Sequence, residues 1–527
     1  MTDMETAPKS KYWLDIVTEE IMAARPTGPL VVSTGHSPSG NYHIGFLREV
    51  LIASAITTRL KERGREATHF DYVDDFDVLR KIPANVPSEF ERHLGQPLYL
   101  VPDPFGACHA SYADHFLRGL YDALARLGID FTSVRSHEEY QKGSFVGSIE
   151  ASLTKLDDVK RIISEVSQRQ LGEDWVPVQI LSDQNSLRHW RYAGWDKAEQ
   201  TVSYQGEDGS KGTVSYAKGR VKLDWRLDWP ARWALWKVSV EPFGRDHASK
   251  GGSYDTGKEL VSKIFGGQAP YPVPYEFVNL QGQTKKMSKS AGNVMTPLDA
   301  LEVMPPEIIR YFFAKARPAK VLYFDAGLGL YQLIDEYSKV EAADRAGQPH
   351  DFTAAYKVAS GISKDFQTVS TVPFSHLVTV WQAAQGDHKR VLELLERTSY
   401  GEAVKSQTQV IEAELGYVKN WLEGYAPDEV KFSLQQSLPK VELTDDQTKF
   451  LAALADRLEN LTPDPQVIHD SIYELTEALG LEPSAAFTAI YRVLINQDQG
   501  PRAGLFVATI AELKGKDWLA KRFRLQS

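Results

Sequence analysis

The sequence predicts an α/β fold: a doubly wound parallel sheet carrying an antiparallel insertion, followed by an all-α C-terminal region. Three observations predict it. Short apolar, β-branched runs alternate with helical periodicity through the first part of the chain, the rhythm of strand–helix–strand units. That rhythm breaks from about 171 to 222 into short strand-like runs around the turn Gly206-Glu207-Asp208-Gly209-Ser210-Lys211-Gly212. From about Tyr323 the texture turns helical, with long periodic segments such as Leu377 to Leu395 and Gln447 to Leu461. The expected domains are therefore 1–322, with the insertion at 170–222, a helical stem over 323–430, and a terminal helical domain over 431–527.

Taken in order, Trp13 to Ala24 has the pattern of a short amphipathic helix. Leu30-Val31-Val32 reads as a buried strand leading into Gly35-His36-Ser37-Pro38-Ser39-Gly40-Asn41-Tyr42-His43-Ile44-Gly45. Ile44, Leu47, Leu51 and Ala55 then open a helix that Gly64 ends. A strand–turn–helix unit points free backbone N–H groups and the positive end of a helix dipole at one spot, which suits phosphate. It matches neither of two common phosphate loops. Asn41-Tyr42 stands where a P-loop needs its lysine and hydroxyl residue, and glycines at every fifth position do not make the dinucleotide fingerprint.

Thr68 to Val73 reads as a second strand ending in Asp74-Asp75-Phe76-Asp77. Acidic residues at a strand's carboxyl end lie where open α/β sheets bind ligands. Pro102 to Leu127 reads as a helix, with Tyr112, Phe116, Leu120 and Leu124 at fourfold spacing, and Phe131 to Val134 as a third strand. Within the insertion, Val176–Leu181, Thr201–Tyr204 and Thr213–Tyr216 read as strands. The sheet is expected to resume in Asp224-Trp225-Arg226-Leu227-Asp228-Trp229-Pro230-Ala231-Arg232-Trp233, whose tryptophans form either a packed aromatic corner or a pocket wall. Gly244-Arg245-Asp246-His247 and the pair Gly251-Gly252 suit loops where backbone approaches a ligand.

Composition narrows the function. A net charge of −10 excludes a surface coated in basic residues, so a nucleic-acid partner must be met by local patches. Cys108, the single cysteine, excludes an internal disulfide and any zinc site built on several thiolates. A reducing, cytoplasmic setting is expected. No apolar segment follows the charged N-terminus as a signal peptide would require, and no run approaches the ~20 apolar residues of a membrane span.

Gln283-Thr284-Lys285-Lys286-Met287-Ser288-Lys289-Ser290 lies between strand-like Tyr275–Leu280 and a helical pattern over Pro305–Ala316. With the upstream Pro38-Ser39-Gly40 turn and His43-Ile44-Gly45-Phe46, it resembles the KMSKS and HIGH signatures of class I aminoacyl-tRNA synthetases, Phe46 replacing the last histidine. The pair has a chemical rationale. Attack of a carboxylate on the α-phosphate of ATP expels pyrophosphate, and imidazole and lysine groups on either side stabilise the charge that develops.

Both motifs, the Gly-Arg-Asp-His segment with its Gly-Gly pair, the tryptophan-rich segment and the helical C-terminus (Trp421-Leu422-Glu423 and Gly500-Pro501-Arg502) resemble the class I lysyl-tRNA synthetases over nearly the whole chain. The resemblance implies a Rossmann-like catalytic domain and ATP-dependent activation of L-lysine with magnesium. It further implies transfer to tRNA(Lys), an anticodon-reading helical domain, activation that waits for tRNA, and a monomer without membrane partners.

It carries His43, Lys286 and Lys289 over as catalytic. His36, Pro38, Gly40, Gly45, Met287, Ser288 and Ser290 join them around ATP, and Gly35, Ser37, Trp225, His247 and Tyr275 line the lysine pocket. The lysine ammonium needs a carboxylate or an aromatic face; Asp74, Asp228 and the tryptophans are the candidates. Relatives hold zinc through cysteines in the insertion. Leu181-Ser182-Asp183-Gln184-Asn185 has none, so no structural zinc and no metal ligand are expected.

A glutamyl-type synthetase needs a cation for its substrate's side-chain carboxylate, and Ser33 stands where its arginine would be. A tRNA-independent ligase using the same two motifs would have no need of the helical half. A binding protein that has lost catalysis would not keep His43, Lys286 and Lys289.

Overall fold

The computed structural model describes residues 12–280, 295–362, 367–435, 437 and 440–524. The chain divides into two compact units: residues up to Ala300 with Phe312–Phe324, and Leu301–Tyr311 with the chain from Asp325 onward.

The first unit opens with helix α1 (Trp13–Ala24), whose Trp13 indole donates to the Ala314 carbonyl at 2.8 Å. Strand β1 (Leu30–His36), helix α2 (Leu47–Glu62), strand β2 (Ala67–Val73), helix α3 (Tyr112–Arg126) and strand β3 (Thr132–Arg135) follow. The insertion supplies β4 (Val178–Ile180), β5 (Trp190–Asp196), β6 (Thr201–Gly206), β7 (Lys211–Ser215) and β8 (Val221–Leu223). The main sheet then resumes with β9 (Val240–Gly244) and β10 (Tyr271–Tyr275). Its order is β10-β9-β1-β2-β3, with every pair parallel. The doubly wound sheet predicted from the sequence is therefore present, and β1 is buried along Leu30, Val32, Ser33 and Thr34, as a central strand covered on both faces requires. In the insertion β5-β6-β7 and β4-β8 pair antiparallel.

Three local expectations need correction. Asp224–Trp233 is not a sheet strand but the start of a helix, Trp225–Leu235, capped by the Asp224 carboxylate, which accepts from the Arg226 amide at 3.2 Å. Trp225, Trp229 and Trp233 recur every fourth residue, a helical stripe that outweighs the break implied by Pro230. The helix expected from Pro102 starts only at Tyr112, leaving 102–111 as a loop. The periodic stretch Leu377–Leu395 is two helices, Phe374–Ala383 and His388–Glu396, because Gln385 and Gly386 take left-handed conformations between them.

The described elements assigned wholly to the second unit are helices, running from Leu328–Arg345 to Lys516–Arg524. Thr444 and Gln447 form a reciprocal capping box at the start of Asp445–Asn460. Asp464 caps Pro465–Leu479, where proline occupies the first turn. Phe450, Leu454, Ile472, Ile490 and Phe506 are completely buried at the centre of this terminal bundle. Among the described residues no single helix is long and apolar enough to cross a membrane.

Candidate active site

The sheet order fixes where the site lies. The chain builds outward from β1 through β2 to β3, then returns to the other side of β1 with β9 and β10, so the winding reverses between β1 and β9. Ligands bind at the carboxyl ends of strands flanking such a switch. The loops leaving β1 at His36 and β9 at Gly244 open there, and Gly244 lies in register with Tyr275 at the end of β10.

The turn after β1 rests on a buried polar floor. His36 Nε2 lies 3.1 Å from Asp71 Oδ2, and its Nδ1 lies 2.5 Å from the Tyr42 hydroxyl. A neutral imidazole satisfies both when Nε2–H donates to Asp71 and Nδ1 accepts from Tyr42. Burial works against the Asp71 carboxylate, but His36, His69 and the Thr34 hydroxyl (2.9 Å) outweigh it and hold its pKa low. Phe46 packs 4.9 Å from both the His36 and Tyr42 rings. The aromatic that departs from the HIGH pattern thus completes a cluster under the turn. Pro38 and Gly40 are buried, while Ser37, His43 and Gly45 are half-buried. His43 caps a single 3₁₀ turn, Ile44–Phe46, that leads into α2, and the Ile44 amide donates to the Met295 carbonyl at 2.9 Å. His43 thus stands at the mouth of the turn, whereas His36 belongs to its floor.

Two residues expected around lysine share one partner. Glu49, on α2, accepts the Gly35 amide at 3.0 Å and the Tyr275 hydroxyl at 2.6 Å. Burial pushes the Glu49 pKa up to about 8, the two hydrogen bonds opposing it only in part. A Cβ at Gly35 would stand 3.2 Å from Arg232 Nη1, so a side chain there would press on that guanidinium.

Two more expected residues meet beside a tryptophan row. The His247 ring centroid lies 5.7 Å from that of Trp225 and 5.4 Å from that of Trp229. Trp229 and Trp233 both donate their indole N–H to the buried Glu241 on β9, Trp229 at 2.9 Å. Burial raises Glu241 to about pH 7. Trp233 is completely enclosed and Trp229 nearly so, while Trp225 is half-buried. Of the three, Trp225 is the one only half-buried, and the Arg226 guanidinium lies 5.3 Å from its ring centroid.

The aspartates considered for the ammonium are already engaged. The Asp74 amide donates to the His36 carbonyl at 2.7 Å, which places it beside the turn. Its carboxylate, however, accepts from the buried Lys222 at 2.6 and 2.7 Å. Burial works against the Lys222 ammonium, but Asp74, Asp228 and Asp77 outweigh it and hold its pKa above the ordinary lysine value. Asp228 accepts from the Tyr140 hydroxyl at 2.6 Å and pairs with Arg232 at 2.9 Å. Two further carboxyl groups lie beside expected lysine residues, Glu49 against Gly35 and Tyr275 and Glu241 against Trp229. Sequence reasoning passed over both, because neither sits in a recognisable motif.

Lys286, Met287, Ser288, Lys289 and Ser290 lie outside the described residues. A further group escaped the sequence reading altogether. In and just after the loop misread as helix, Asp103, Cys108, His109 and His115 bring one donor atom each within 4.8 Å of the others. The Asp-x4-Cys-His-x5-His spacing was the available signal, overlooked because only thiols were counted.

The sequence model of the family described as tRNA synthetases class I (K) matches residues 11–362. A protein of Archaeoglobus fulgidus named lysine--tRNA ligase is 37% identical over 517 residues, covering 97% of this chain and 99% of its own length. Lysine--tRNA ligase 1 of Methanosarcina acetivorans is 37% identical, with 97% and 98% covered. The lysine--tRNA ligase of Thermococcus kodakarensis is 36% identical, with 98% and 99% covered. Among solved structures, the glutamate-tRNA synthetase of Elizabethkingia anophelis aligns over 94% of this chain and 99% of its own, at 12% identity and a TM-score of 0.43.

Proposed function

The chain belongs to the tRNA synthetases class I (K) family, and on that premise we propose how its residues divide the work. It is an aminoacyl-tRNA synthetase that joins lysine to tRNA at the expense of ATP. The arrangement that carries the reading is the pair of converging contacts at the sheet switch point: Gly35 and Tyr275 on Glu49, and His247 against Trp225 and Trp229.

In this reading lysine lies in the crevice between the β1 and β9 loops. The half-buried Trp225 ring faces its ammonium, and an ammonium arriving beside Glu49 and Glu241, whose carboxyls burial holds largely protonated, draws them toward the charged form. ATP enters as its magnesium complex over Pro38, Gly40 and Gly45. The lysine carboxylate attacks the α-phosphorus, the α–β phosphate bond breaks, and pyrophosphate leaves as lysyl-adenylate forms. His43 at the start of the 3₁₀ turn, together with Lys286 and Lys289, stabilises charge gained by the phosphate oxygens in the transition state. The tRNA terminal hydroxyl then displaces AMP. The helices beyond Asp325 contact the anticodon region of tRNA(Lys), and that binding energy is used to complete the activation site.

Pyrophosphate exchange across the amino acids, with and without total tRNA, tests the assignment. Exchange with lysine alone among them, and only when tRNA is present, is expected. Exchange with glutamate would overturn the lysine assignment, and full-rate exchange without tRNA would remove the coupling.

A further inference from the structure

We propose that Glu241 is a positioning residue of the lysine site, accepting from the Trp229 and Trp233 indoles together and so fixing the ring on which Trp225 and His247 pack. The inference rests on the placing of lysine beside Trp225 and His247. Trp229 is the hub of that wall. Its ring centroid lies 6.2 Å from that of Trp225, with 29° between the planes, and 5.4 Å from that of His247. Phe243 meets it edge-on at 5.5 Å and Trp233 at 4.9 Å. The orientation of Trp229 therefore sets the surface that both expected lysine contacts rest on.

Packing alone leaves an indole two orientations. The torsion that turns the ring about its Cβ is broad and roughly two-fold, and half a turn carries the N–H to the opposite edge. A hydrogen bond at one edge chooses between them. Trp229 Nε1 donates to Glu241 Oε1 at 2.9 Å, and Trp233 Nε1 donates to Oε2 of the same carboxyl. The two tryptophans are four residues apart on the helix Trp225–Leu235, so their indoles leave one face and converge on β9. Trp233 is also held from behind. A Cβ at Gly257 would stand 2.6 Å from its ring, which therefore lies directly on the backbone of the helix Ser253–Lys263. One carboxyl oxygen is thus braced by an enclosed ring while the other steers Trp229.

The need for a carboxyl at this position follows from its two partners. Every residue of β9 is buried, and a buried polar group is costly unless its atoms find partners. Two N–H donors converging on one side chain require two acceptor oxygens. Glutamate supplies both, whereas glutamine has one oxygen and an NH₂ that would face an indole N–H, donor against donor. An isosteric change therefore breaks the arrangement without changing its size.

Pyrophosphate exchange with lysine and total tRNA tests this at about pH 8.5, above the value of about 7 to which burial raises Glu241. Glu241→Gln should raise the KM for lysine about five- to tenfold and leave the KM for ATP within about twofold, the scale of one hydrogen bond lost at a buried site. Trp229→Phe, which keeps a ring but removes the donor, should raise the lysine KM to a similar extent. In a Trp233→Phe background, Glu241→Gln should raise it less than about twofold over Trp233→Phe alone, because the amide then turns its oxygen to Trp229 and opposes no donor. A carboxylate acting directly on lysine would cost the same in both backgrounds. That result overturns the positioning role, as does an equal rise for ATP, or an unchanged lysine KM in Glu241→Gln or Trp229→Phe. Near-UV circular dichroism of the substrate-free protein gives a readout independent of the amino acid. Glu241→Gln should alter the bands of the stacked Trp225–Trp229 pair, and an unchanged spectrum overturns the positioning role whatever the substrate. Wild-type exchange with a different amino acid overturns the lysine reading alone.

Discussion

Replacing Glu49 by glutamine should change the pH dependence of stability by an amount the structure allows to be worked out. Glu49 is buried between the Gly35 amide and the Tyr275 hydroxyl, and burial lifts its pKa from 4.5 to about 8. Between those values the folded protein keeps a proton that the unfolded chain has released. Stability from this group is therefore complete below pH 4.5 and is lost as pH rises toward 8. With these two pKa values the loss is about 2 kcal/mol by pH 6 and about 4 kcal/mol by pH 8. Glutamine keeps the shape, still accepts the Gly35 amide, and carries no titrating proton. The difference in unfolding free energy between variant and wild type should thus move by about 2 kcal/mol in the variant's favour between pH 6 and pH 8. Urea unfolding followed by tryptophan fluorescence at both pH values measures that difference. A free-energy difference that stays flat over this range would show that Glu49 is already ionised in the fold and refute the reasoning.

The remaining predictions use the same contacts. Asp74→Asn strands the Lys222 ammonium in the interior and should cost about 3–5 kcal/mol, while adding Lys222→Met should recover most of it; denaturant midpoints decide. Trp233→Ala removes a completely buried indole and should cost about 3–5 kcal/mol. Trp225→Ala should leave stability nearly unchanged but raise the KM for lysine about tenfold, the worth of one aromatic face against a cation; equal effects of the two changes would place Trp225 in the core. Lys289→Ala should slow adenylate formation roughly 10²–10³-fold with lysine affinity little altered, and near-normal turnover would take Lys289 out of the mechanism.

The division between what the chain announces and what it conceals follows from the range of the interactions. A β-branched run, a turn of glycine, serine and proline, and a helix closed by Gly64 depend on near neighbours. So β1, its turn and α2 were legible in the sequence, and with them the parallel sheet. The family was legible too, because HIGH-like and KMSKS stretches are contiguous and their order along the chain carries information. Asp224–Trp233 was misread for a local reason, since Pro230 masked a fourfold spacing. Asp103, Cys108, His109 and His115 were missed although close in sequence, because only thiols were counted and the fourfold apolar spacing downstream was extended backward over the loop.

By itself the sequence determined the fold class, the place of the strand–turn–helix unit after β1 and the family, since each rests on local pattern. Only the tertiary structure decided which charges are free. Tyr275 reaches Glu49 across 226 residues and Lys222 reaches Asp74 across 148, and no local pattern encodes either meeting. A carboxylate's value to a substrate depends on its burial and on the cation or donor that arrives beside it. That is why Asp74, so prominent at its strand end, is already paired, while Glu49, inconspicuous on its helix, joins Gly35 and Tyr275, two residues of the proposed lysine pocket.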